Sequence, residues 1–150
     1  MIFGDYQARR LMEDELVKSN KQVFRMFEFP SAFGFTFGTG WWNIVERLVA
    51  SVIDLNKNLG LDIQVVKLDS SSGFPVFILD STCDEIEAVV SEYEAEARNT
   101  CEKCGSHDEV SVSVSAYSSY SRLCKECSTK IRQTLPENVT EKQTEFLGYD

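Results

Sequence analysis

Cys101-Glu-Lys-Cys104-Gly105 and Arg122-Leu-Cys124-Lys-Glu-Cys127 carry two Cys-x-x-Cys pairs separated by nineteen residues. That spacing lets one tetrahedral Zn²⁺ collect two thiolates from each of two tight turns. The first pair reads as a knuckle, with Gly105 suited to a turn whose backbone N–H groups point at sulfur. Val110, Val112 and Val114 alternate with serines as a strand does, and Tyr117 and Tyr120 accompany the return of the chain. The second pair opens a short helix through Lys130, Ile131, Arg132 and Leu135, ahead of Pro136. Knuckle, hairpin, then ligands on a first helical turn is the treble-clef order, with a zinc ribbon as the close alternative. Residues 101–135 are therefore expected to form a four-cysteine finger holding one structural Zn²⁺ through Cys101, Cys104, Cys124 and Cys127.

Upstream of the finger, residues 82–99 read as an amphipathic helix capped by Ser81 or Thr82, with Ile86, Val89, Val90, Tyr93 and Ala97 facing inward. Asp84, Glu85, Glu87, Glu92, Glu94 and Glu96 make it the most acidic stretch, opposed by Arg98 alone. Paired acids invite a general acid/base reading, but a solvated helix face is the simpler account, and that face is a candidate surface for a protein partner. Residues 62–80 read as a β-hairpin turning through Asp69 to Gly73, with Pro75 marking an edge. Residues 41–58 give the cleanest helical periodicity: Trp41, Ile44, Val45, Leu48, Val49, Val52, Ile53 and Leu59 form a stripe that must be buried. Thr39 is its expected start and Gly60 its left-handed stop.

Eight of the seventeen aromatic residues lie between Phe24 and Trp42. Phe33, Phe35 and Phe37 alternate as a short strand would, adding a third strand to the hairpin, and Gly38 and Gly40 allow a turn into the core helix. Those glycines have the wrong spacing for the common phosphate loops, and no lysine follows them. Residues 6–28 read as a moderately amphipathic helix with Leu11, Leu16, Val23, Phe24 and Phe27 as its apolar positions, packed loosely or extended toward a partner, ended by Pro30. The organisation expected is thus an N-terminal helix (1–30), a core (31–100), a finger (101–135) and an acidic tail (136–150). The class is α+β: a small antiparallel sheet packed on amphipathic helices, followed by the finger.

Hydrophobic residues make up 43 % of the 150, enough for a core, and the net charge is −9. A filled tetrathiolate site brings the total to about −11, which repels phosphate backbones unless one face is locally basic. The candidate basic patch is Lys103, Arg122, Lys125, Lys130 and Arg132, with Tyr117 and Tyr120 for stacking. No apolar run is long enough to span a bilayer and the N-terminus lacks a secretory core, so a cytoplasmic setting is expected, where paired cysteines hold metal. Cys83 is left as a free thiol. A catalytic zinc needs an open position and a base nearby, and four thiolates close the shell. His107 is the sole histidine, too few for His-dependent nuclease or cysteine-nucleophile chemistry, and no His-x-Glu precedes the cysteines as a deaminase requires. Enzyme activity is not expected.

Gly38-Thr-Gly-Trp41 leading a helix, the hairpin, the acidic helix running into Arg98-Asn-Thr-Cys101, and the two cysteine pairs in that order resemble an uncharacterised family of small proteins of tailed bacteriophages, prophages and bacteria. The likeness covers about residues 33–130. The chain departs from it at Ser70-Ser-Ser-Gly73, which is neutral where the family's hairpin turn is basic and rich in glycine. The resemblance implies a phage origin, a ββα-plus-finger layout and zinc; it carries no activity and no catalytic residues. The function expected is non-enzymatic protein binding, as a phage factor that inhibits or redirects a host complex such as a defence machine. The alternatives are nucleic-acid binding through the basic patch, or sequestration of a small nucleotide signal at the Gly-rich aromatic loop.

Overall fold

The computed structural model describes residues 3–27, 36–114 and 120–134. The elements follow as α1 (Phe3–Ser19), a 3₁₀ turn (Lys21–Val23), a second 3₁₀ turn (Thr39–Trp41), α2 (Trp42–Leu59), β1 (Val65–Ser71), β2 (Phe74–Leu79), α3 (Asp84–Arg98), β3 (Ser111–Val114), β4 (Tyr120–Leu123) and α4 (Lys125–Thr134). The class is α+β as expected.

The core is built on α2. Ile44, Val45, Leu48, Val49 and Val52 of its stripe are buried, with Trp42 beside them, and α3 packs there through Ile86 and Ala97. Ile53 is only partly buried, and Leu59, in the last turn beyond the packed face, is 46 % exposed, contrary to expectation. Gly60 ends the helix in the left-handed conformation at φ 66°, its N–H donating to the Asn56 carbonyl. The start differs from expectation. Thr39 makes no cap; it opens the 3₁₀ turn that leads into Trp42, and Trp41 contributes no side-chain cap either. Likewise Cys83, not Ser81 or Thr82, precedes α3, and its contribution is the carbonyl that accepts the Glu87 N–H.

In the first hairpin the turn is tighter than the five residues expected. Ser71 pairs with Phe74, and only Ser72 and Gly73, both at positive φ (53° and 88°), connect the strands, the twist that suits a two-residue loop. A bulge at Val66 breaks the register between Val65 and Lys67. In a regular strand Val65 and Leu68 would face opposite sides; the extra residue lets both be buried. The second strand alternates cleanly, with Pro75 and Phe77 inward and Phe74 and Ile78 outward.

The described sheets are both two-stranded and antiparallel. Residues 33–35 of the expected third strand lie outside the described residues. Thr36 does run beside β1, its hydroxyl accepting the Ser70 N–H at 2.9 Å, and Phe37 turns inward to join the core. Phe37 stacks on Trp41 with centroids 6.0 Å apart and meets Trp42 edge-on at 5.6 Å, while Trp41 meets Phe77 edge-on. The aromatic centre is thus a seam through the core, as its composition suggested.

The N-terminal helix stops earlier than expected, at Ser19, where the Asn20 side chain turns back to the Leu16 carbonyl. Nor does it extend away. Leu16, Val23 and Phe24 are buried and the Arg9 guanidinium donates to the Phe37 carbonyl at 2.8 Å, while Leu11 points outward, 72 % exposed. The acidic tail, 136–150, lies outside the described residues. No helix among the described residues is long and apolar enough to cross a membrane.

Candidate metal centre

The four cysteines come together. Their Sγ atoms all lie within 4.8 Å of one another, and Cys104 Sγ is 3.6 Å from Cys124 Sγ. With metal–sulfur bonds of about 2.3 Å, a tetrahedral tetrathiolate has sulfur–sulfur edges of roughly 3.8 Å, so the four sulfurs are close enough together to share one ion. No disulfide links them. Cys101, Cys124 and Cys127 are buried and Cys104 is exposed, so the site sits just under the surface with one sulfur at its mouth. Among the described residues no histidine or carboxylate joins the cluster.

Local folding explains the convergence. The Cys101 N–H donates to the Ser106 carbonyl and the Gly105 N–H to the Cys101 carbonyl, closing a knuckle that requires Gly105 at φ 81°. The chain then enters the β3–β4 hairpin, whose register runs from Ser111 opposite Leu123 to Val114 opposite Tyr120. Cys124 follows β4 directly, and Cys127 lies in the first turn of α4. Knuckle, hairpin and helix occur in treble-clef order.

The thiols polarise one another. Burial alone would raise Cys124, but the Cys127 N–H, 3.5 Å from its sulfur, and the neighbouring thiols bring it down to about 7. Burial and the thiols of Cys104, Cys124 and Cys101 push Cys127 up, and burial pushes Cys104 up against the lowering effect of a Ser106 backbone bond and the Cys127 thiol. One sulfur surrenders its proton readily, and its charge makes the next harder to ionise, unless a cation is there to offset it.

His107 stands apart. Its Nδ1 lies 3.0 Å from the Asn99 carbonyl, so that nitrogen carries the proton and donates to the backbone. Cys83 is partly buried against the core. Of the six acids of α3, Asp84, Glu85, Glu87 and Glu92 are exposed. Glu96 is engaged by Arg47 of α2, which also lies over the Tyr93 ring. Glu94 is half-buried, and burial raises its carboxyl against Arg98 and a Phe77 N–H.

The expected basic patch is dispersed. Lys103 is exposed, whereas Lys125 and Lys130 are paired with Glu109 and Glu126 beside an open depression of about 440 Å³ that Asp108 also lines. Arg122 is not on the surface. Its Nε donates to the Gly73 carbonyl at 2.7 Å and its Nη1 to the Arg98 carbonyl at 2.9 Å, with Phe74 across its face; burial lowers its pKa. It rivets the two hairpins together. The Arg132 side chain and Tyr117 lie outside the described residues.

Sequence reasoning missed the residues that seat the site on the core. A Cβ on Gly38 would lie 2.3 Å from the Glu102 carbonyl oxygen, and one on Gly40 only 2.2 Å from that of Cys101. These glycines are required because the core loop runs directly along the knuckle backbone. The Gly40 N–H donates to the Glu102 carbonyl at 2.7 Å and the Trp41 Nε1–H to the Thr100 carbonyl at 2.8 Å. The space beside both glycines is therefore filled by the finger. Glu102, inside the first Cys-x-x-Cys, is 4 % exposed. Nothing in the motif distinguishes it from the exposed Lys103 next to it.

The chain matches no protein-family model, no curated protein and no solved structure.

Proposed function

We propose that this chain is a non-enzymatic binding protein whose finger is held by one structural Zn²⁺ on Cys101, Cys104, Cys124 and Cys127. The observation that carries the reading is the mutual approach of four thiol sulfurs, three of them buried, with no other ligand type beside them among the described residues. All-thiolate sets of this geometry favour Zn²⁺, and in a closed shell the ion supplies cross-linking and no reactive water. The His107 ring is committed to a backbone carbonyl and Cys83 packs against the apolar core, which supports a non-catalytic role. Function then rests on surface. The exposed acids Asp84, Glu85, Glu87 and Glu92, on a chain of net charge −9, favour a protein partner with a basic face over nucleic acid. The resemblance to phage and prophage proteins adds a host complex as the kind of partner.

Elemental analysis of protein purified without chelator tests the centre: one zinc per chain is expected, lost in Cys104→Ser. A wild-type chain that neither carries nor takes up zinc sinks it. For the surface, reversing the four exposed acids to lysine should abolish stoichiometric capture of a host protein and leave zinc content unchanged. A partner retained by that variant removes the acidic face from consideration.

A further inference from the structure

Glu102 is one of the few charged side chains buried in the described residues, and its attachments reach two other segments. Its own N–H donates to the Arg122 carbonyl at 2.8 Å and its carbonyl accepts the Gly40 N–H at 2.7 Å. Its Oε2 accepts the Arg122 N–H at 2.7 Å. The residue therefore ties the knuckle to β4 and to the loop that starts α2, and it does so from between the first two thiols. Nearby, Thr100 holds Trp41 through the indole N–H.

Resting on the metal-centre reading above, we infer that Glu102 is a positioning residue that couples metal binding to the packing of the core. The ligands Cys101 and Cys104 are spaced by a backbone whose shape the carboxylate sets before metal arrives. Groups that orient ligands without touching the metal commonly change affinity by about 10- to 100-fold. Linkage makes the coupling reciprocal: whatever the core contributes to holding the knuckle, metal on the knuckle returns to the Gly38–Trp41 segment. Both tryptophans of the chain, Trp41 and Trp42, lie at that joint, so intrinsic emission reports on it.

The test is zinc titration of the full chain against a chromophoric chelator, with tryptophan emission followed in parallel. Glu102→Ala should weaken zinc binding by about 10- to 100-fold, while Glu102→Gln, which keeps an acceptor for the Arg122 N–H, should stay near wild type. Lys103→Ala, exposed at the next position, should not differ from wild type. Stripping zinc from the wild type should shift tryptophan emission. If Glu102→Ala does not fold, Trp41→Phe, which removes the bond to Thr100, carries the test and should weaken zinc binding in the same direction. Wild-type affinity in a folded Glu102→Ala or, where that variant does not fold, in Trp41→Phe, or unchanged emission on stripping, overturns the coupling while leaving the metal centre intact. Failure of the wild type to bind zinc removes the centre itself, and the coupling with it.

Discussion

The two Cys-x-x-Cys pairs are alike in spacing and unlike in surroundings. Cys101 and Cys104 sit on a knuckle pressed against the core, with Gly38, Gly40 and Trp41 bonded to or touching its backbone. Cys124 and Cys127 sit where β4 passes into α4, and their backbone bonds stay within the finger: Lys125 N–H to the Asp108 carbonyl and Ser128 N–H to the Cys124 carbonyl. One half of the centre belongs to the core and the other half to an appendage. A metal across them is thus a clamp between a jaw whose backbone is bonded to the core and one whose backbone bonds stay within the finger, and the cost of disturbing each jaw should differ.

The largest difference should come from the ligands themselves. Cys101→Ser removes metal and leaves a polar group at 0 % exposure in the jaw bonded to the core; loss above about 4 kcal/mol is expected in denaturant unfolding, with the core tryptophans reporting the same transition. Cys127→Ser should release metal while a larger share of core structure persists, read by hydrogen exchange at 42–59. Equal protection of α2 in both variants would erase the distinction.

Next come the glycines. Gly40→Ala meets backbone at 2.2 Å, with no flexible side chain to yield, and should cost about 3 kcal/mol. Gly60→Ala meets nothing within 4 Å and bears only the left-handed φ of 66°, about 1 kcal/mol. Comparable thermal shifts for the two would mean that the loop does not press on the knuckle as described. Arg122→Leu strips donors from the Gly73 and Arg98 carbonyls and should cost about 2 kcal/mol without changing zinc stoichiometry.

The smallest effect is one of pH. Burial holds the Glu94 carboxyl above its ordinary 4.5, so the folded chain keeps a proton that the unfolded chain releases. The associated stability is full below the ordinary value and lost as pH rises through the raised one. Glu94→Gln should flatten that decline in melting temperatures taken from about pH 4 upward. A slope unchanged by the substitution assigns the decline elsewhere.

What could be read from the residues is what local pattern encodes. The α2 stripe, the Gly60 stop and the ligand spacing each state their purpose within one helix or one turn. The early end of α1 was less legible, because Asn20 competes with continued helix through its own side chain and the apolar residues beyond it still look helical. Gly38, Gly40, Glu102 and Arg122 were illegible for a different reason. Each is dictated by backbone from a distant segment, and a glycine needed for contact looks the same as one needed for a turn. Arg122 and Lys125 are both basic and three residues apart, yet one is buried and the other lies in solvent.

Zinc fingers are commonly treated as portable parts, cut at the residue before the first cysteine and attached elsewhere. Here the contact at that cut includes main chain against main chain, the Gly40 N–H on the Glu102 carbonyl, which no side-chain redesign can replace. Severing the chain between Thr100 and Cys101 would separate the Trp41–Thr100 bond from the Gly40–Glu102 bond and leave the Glu102 carbonyl without its Gly40 donor. Any shortened version of this protein should therefore begin upstream of Gly38, and a single-residue insertion between Thr100 and Cys104 should be worse tolerated than any exchange of Lys103.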